Sequence, residues 1–173
     1  MGNRFLVPNP VPGGMTLLSS TTLSGSQTIN VTGIPTSYRD LKIVIRGFLP
    51  ATDGATLQFR FNGDSTANRH TIQSSSTADG ISTFASSGPT ICGAQDNSVA
   101  TGLIEINMTD YANTTTWKQA FFISSVVDSA TTTSVRFNSG TLRYNQTSAI
   151  TSITIFASSG NINAGTLLLY GVN

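Results

Sequence analysis

The chain has little that reacts and little that is charged. Of 173 residues one is cysteine, Cys92, and one is histidine, His70. A single cysteine excludes any disulfide within the chain, so packing or association with other chains must supply the stability. Cys92 lies among Gly, Pro and Ser with no His near it in sequence. That context fits a small buried apolar group better than a nucleophile. One histidine excludes a metal site built from several His ligands, and any His-based triad would rest on His70 alone. Charged residues make up 10%, against roughly 25% in an average protein. The formal net charge is +1, which gives no electrostatic reason to expect nucleic acid or an anionic membrane as partner. No apolar run approaches the ~20 residues of a membrane-spanning helix. The N-terminus lacks the continuous apolar core of a secretion signal.

Ser, Thr and Asn take the place of charge, together with 16 Gly. Such a surface can meet another protein with little desolvation cost. It suits an assembly component and a plain β-rich soluble protein equally well.

Three prolines, Pro8, Pro10 and Pro12, followed by Gly13 and Gly14, make residues 1–14 an extended arm rather than a helix. Phe5, Leu6 and Val7 are apolar residues that a solvated tail would not keep exposed. Phe5, Leu6, Val7, Pro8 and Pro10 are therefore candidate contacts to an underlying surface or to a second subunit. The alternative is an edge strand laid on the arm's own domain.

From residue 15 to 173 the pattern is strand and turn. Leu41, Ile43 and Ile45 alternate with Lys42, Val44 and Arg46 over Asp40–Phe48. Leu57, Phe59 and Phe61 do the same over Thr56–Asn62, and Ile104, Ile106 and Met108 over Gly102–Thr109. Asp53-Gly54 and Asn62-Gly63-Asp64 are turn signals. Residues 63–100 are the least regular and are expected to carry long loops. Trp117–Val127 has Phe121 and Ile123 on one face and Phe122 on the other, which suggests cover on both sides by core and interface, or by core and loop. Thr133–Asn138 is expected to turn Val135 and Phe137 inward and Arg136 outward. Ser139-Gly140 is expected to form a turn before Thr141–Tyr144. The last two strands fall within Ile150–Val172. The final strand is expected inside a sheet; Leu167-Leu168-Leu169-Tyr170 does not alternate, so it should be covered on both faces, by the core and by a neighbouring subunit, with Leu168 and Tyr170 as candidate subunit contacts. Burial of both within one chain would end that contact reading. No helical period stands out. Ten or so short strands with long middle connections predict a single-domain, all-β, jelly-roll-like antiparallel β-sandwich behind an extended N-terminal arm.

Catalytic grammar is sparse. The carboxylates Asp40, Asp53, Asp64, Asp79, Asp96, Glu105, Asp110 and Asp128 mostly sit at expected turns, and nothing in the sequence selects a pair for glycoside hydrolysis. Asn62–Thr66 is too poor in charge for a strong calcium loop. Trp117 and Tyr111 could stack on a sugar or belong to the core. Neither a metal nor an organic cofactor is expected, and the chain reads as no enzyme.

Four stretches carry a family resemblance. They are Gly14–Ser19 with Ser24-Gly25-Ser26, Tyr38–Gly47, Phe59–Asp64 with Asn68, and Ile150–Ile155 with Gly160-Asn161, Gly165-Thr166 and Leu169–Val172. In this order they resemble a family of small β-rich structural proteins of tailed bacteriophages. The chain departs from that pattern at Arg69-His70, where an aromatic would follow Asn68. The resemblance implies a virion protein on the capsid surface. It would be a decoration or cement protein that binds the major capsid protein and itself as a homotrimer, and stabilises the head by contact alone. The alternative it implies is a tail or head-fibre module that binds host surface glycan.

Overall fold

In a computed structural model, the described residues are 14–74, 81–83, 88–129 and 134–173. They form twelve β-strands and no helix. The strands are β1 (Met15–Thr22), β2 (Thr28–Thr32), β3 (Asp40–Pro50), β4 (Ala55–Phe61), β5 (His70–Ser74) and β6 (Ile81–Thr83). They continue with β7 (Thr90–Gln95), β8 (Gly102–Thr109), β9 (Lys118–Ser129), β10 (Ser134–Tyr144), β11 (Ser152–Ala157) and β12 (Ile162–Val172). The larger sheet, A, has the order β1-β12-β3-β8-β9-β10-β5-β6; the smaller, B, has β2-β11-β4-β7. Every pairing is antiparallel. Most connections cross from one sheet to the other, so neighbours within a sheet are distant in sequence. The final strand lies inside sheet A, between β1 and β3.

Alternation builds the core. Leu41, Ile43 and Ile45 from β3, Ile104, Ile106 and Met108 from β8, Leu57, Phe59 and Phe61 from β4, and Ile153 and Ile155 from β11 are all buried. Each such side chain contributes about 1.5–3 kcal/mol through loss of water contact. Cys92 is buried with them, and burial pushes its thiol up to about 12. Tyr111 is fully buried and its hydroxyl donates to the Pro35 carbonyl.

Turn chemistry sets the strand ends. Asn62 and Gly63 both hold positive φ, 52° and 61°. The Asn62 amide donates to the Ala149 carbonyl at 3.0 Å, and its oxygen accepts the Thr151 N–H at 2.9 Å. One turn residue thus fixes the end of β4 to the start of β11. Gly171 is required by a close approach: a Cβ there would lie 2.4 Å from the Tyr38 ring.

Three expectations need correction. Val135 and Phe137 point outward and are more than half exposed. Arg136 pairs with buried Val126, and its guanidinium meets Asp128 at 2.7 Å. The reason is that β10 runs unbroken through Ser139-Gly140, which is not a turn. Leu142 and Tyr144 enter the core at the far end of the strand, and a two-residue period then sends 135 and 137 to the other face. Trp117 is not core either: it precedes β9 and is 53% exposed.

Candidate functional site

The outer face of sheet A is the most unusual surface among the described residues. Register places Arg46, Leu103, Ser125 and Phe137 side by side on β3, β8, β9 and β10. The next level carries Val44, Glu105, Ile123 and Ser139, and the one after it Lys42, Asn107, Phe121 and Thr141. Val135 sits opposite Val127 beyond the Phe137 level. Leu103, Phe121, Ile123, Val135 and Phe137 are between 44% and 64% exposed. They form one patch across β8, β9 and β10. Leu103, Ile123 and Phe137, with Glu105, Ser124 and Ser125, line a surface pocket of about 260 Å³. Single exposed apolar residues are ordinary; five on one face of three adjacent strands make a contiguous apolar patch of the kind that proteins use for association.

Polar groups bound the patch. Lys42 donates to Glu105 at 2.8 Å on the β3 side. The Trp117 ring, which extends the β9 stripe toward the start of that strand, lies 5.4 Å from the Arg143 guanidinium. An aromatic and apolar centre with a charged and polar rim is the composition of a protein-binding surface.

A second cluster is internal and joins the sheets. His70 on β5 is 3% exposed and accepts the Phe61 N–H through Nε2 at 3.1 Å. Its ring stacks on Tyr144, with centroids 4.9 Å apart, and on Phe61 at 5.8 Å. The Tyr144 hydroxyl donates to Asp64 Oδ2 at 2.8 Å. Burial drives the imidazole down to about 4, and donation from Phe61 needs its lone pair, so His70 is neutral. Burial also pushes the Tyr144 phenol up to about 12, aided by the Asp64 carboxylate. Burial acts to raise Asp64, but hydrogen bonds from Thr66 and Tyr144 and the Arg69 charge outweigh it and hold the carboxyl below its usual value. A shielded, neutral imidazole held by a backbone N–H is a structural post between β4 and β5. Lys118 is buried as well; it donates to the Thr116 and Thr147 carbonyls at 2.7 and 3.0 Å, and burial lowers its pKa.

Two of the remaining acids, Asp96 and Asp110, hold turns, and Asp40 ties one of those turns to the start of β3. Asp96 accepts the Ser98 N–H, Asp110 accepts the Asn113 amide, and Asp40 accepts the Asp110 N–H. No group of three or more His, Cys, Asp or Glu able to hold a metal occurs among the described residues. Among the described residues no helix is long and apolar enough to cross a membrane.

Of the contact residues read from sequence, Phe5, Leu6, Val7, Pro8 and Pro10 lie outside the described residues. Leu168 is 9% exposed and has little surface to give to a subunit; Tyr170 is half-buried. Both stand on the outer face of sheet A, two strands from the patch, with Leu168 level with Val44 and Tyr170 with Lys42. Sequence reasoning missed Leu103, Val135 and Phe137. The usable signal was the parity of Leu142 and Tyr144 carried back along β10. No family model and no curated protein matches the chain.

Proposed function

We propose that this chain is a non-catalytic structural protein of a bacteriophage virion, a decoration protein that stabilises the capsid by contact. The single observation carrying this reading is the apolar outer face of sheet A, with Leu103, Phe121, Ile123, Val135 and Phe137 exposed together. Burying that face against protein supplies binding energy without chemistry. The low charge supports the reading, because few ions need to be desolvated. The wiring supports it too. With β5-β6 and β9-β10 taken as insertions, β1-β12-β3-β8 faces β2-β11-β4-β7. That order is compatible with jelly-roll wiring, an architecture shared with capsid proteins, and supports the reading in that sense. The partners in this reading are the major capsid protein and further copies of the chain, at the capsid surface.

Immunogold labelling of intact particles tests the proposal. Label distributed over heads is expected. Label confined to tails, or absent from purified particles, would overturn it. Exposed Trp117 beside Arg143 favours a second reading, a fibre module that stacks host glycan on that ring. Label on tails together with binding on a glycan array would select it.

A further inference from the structure

The apolar face of sheet A has a candidate occupant in the chain's own sequence. Thirteen residues precede Gly14, and they include Phe5-Leu6-Val7-Pro8-Asn9-Pro10-Val11-Pro12. Aromatic-lined grooves are the usual docking surface for Pro-rich extended segments, whose conformation costs little entropy to fix. Pro8, Pro10 and Pro12 also lack backbone N–H groups. Such a segment can therefore lie across the face of a sheet, where no edge offers partners, with fewer donors left unpaired.

Direction decides whose face is covered. β1 is the edge strand of sheet A, and β9 is the fourth strand in from it, about 19 Å away at a strand spacing of ~4.8 Å. Met15 lies opposite Val172, one level beyond Tyr170 and Phe121, and β1 runs from there toward Thr22, opposite Thr166, at the Leu103 and Phe137 level. A segment that continues β1 backward thus leaves past the end of the sheet, away from the patch of its own chain. Thirteen extended residues reach about 40 Å at ~3.1 Å each, enough to cross to an adjacent copy. We infer that the Pro-rich segment around Phe5-Leu6-Val7 of one copy packs on Leu103, Phe121, Ile123 and Phe137 of the next. This rests on the reading of sheet A's outer face as an assembly surface and names what covers it. An arm given and a face received is a head-to-tail contact, which gives a ring where its rotation closes and an open filament where it does not.

Two full-length variants, Leu6→Cys and Phe137→Cys, test the exchange when mixed and mildly oxidised. Cys92 is 1% exposed and does not compete. The mixture should give a disulfide-linked heterodimer well above what either variant gives alone. No heterodimer, or a disulfide formed only when both substitutions share one chain, would overturn the exchange. Sedimentation supplies a second readout. Deleting residues 2–13 should reduce the oligomer to monomer with unchanged β-sheet circular dichroism; an unchanged oligomer would overturn it. Head labelling that persists after a failed cross-link would leave the decoration reading standing and sink the arm exchange alone.

Discussion

The outer faces of the two sheets are made from similar strands and treated differently. On sheet B that face carries Thr28, Asn30 and Thr32 from β2, Ser152 and Thr154 from β11, and Gln58 and Arg60 from β4. Thr154 bonds Asn30 at 2.7 Å. Its one large apolar residue, Phe156, is 8% exposed, with the Arg60 guanidinium 4.3 Å from its ring centre. On sheet A the Arg143 guanidinium lies over Trp117, but Phe121 and Phe137 are 64% and 60% exposed, with no such cation over either ring among the described residues. The chain can cover an outward aromatic with a cation and does not do so at these two positions. Leaving five large apolar residues open on sheet A supports the proposal that this sheet meets a partner.

The largest effect should come from polar substitution on sheet A. Phe121→Ser with Phe137→Ser should weaken attachment to heads by at least roughly thirtyfold, since losing one aromatic anchor alone costs ~2 kcal/mol. Unfolding free energy should move by less than ~0.5 kcal/mol per site, as for exposed positions generally. Head-binding titrations and urea melts of the same preparations would show both. Equal loss of stability and binding would mean that these side chains belong to the fold.

The interior post between the sheets should respond to acid while the outer face does not. His70 is held near 4 in the folded chain against an ordinary value of 6.5. The unfolded chain therefore binds the proton first. Stability is complete above about 6.5 and declines as pH falls toward 4, by roughly 3 kcal/mol. Asp64, also held low, adds a loss in the same direction at lower pH. Urea denaturation at pH 7 and pH 4.5 reads the difference, and a flat profile would remove His70 from the post.

Phe156→Ala on sheet B should show the opposite pattern to the sheet A pair. It should cost about 3 kcal/mol of stability and leave head attachment unchanged in a titration at a temperature where the variant is folded. Trp117→Ala should do least, below ~0.5 kcal/mol in a melt, with no change in head binding. A loss of cell adsorption from that variant would favour the glycan reading.

The core was open to reading because a half-buried strand writes its face into every second residue. Leu41-Ile43-Ile45, Leu57-Phe59-Phe61 and Ile104-Ile106-Met108 point where their alternation says. The outer face of sheet A was half legible. Phe121, Ile123 and Phe122 together signalled apolar residues on both faces of β9, of which the structure buries Phe122 and leaves Phe121 and Ile123 exposed. Val135 and Phe137 were assigned to the wrong side because alternation gives a period and not a direction. The direction comes from Leu142 and Tyr144, and Ser139-Gly140 hid the continuity of β10 by imitating a turn. The His70–Tyr144–Asp64 cluster had no sequence signal: its members come from β5, β10 and the turn after β4, and only the sheet order brings them together.

The central claim is that sheet A's outer face is covered in the working assembly and sheet B's is not. Hydroxyl-radical footprinting of the monomer that lacks residues 2–13 and of the whole chain on particles compares the two faces in one experiment. Oxidation of Phe121 and Phe137 should fall sharply on assembly, while residues on the outer face of sheet B stay as reactive as before. Undiminished oxidation of Phe121 and Phe137 in the assembled state would contradict the account.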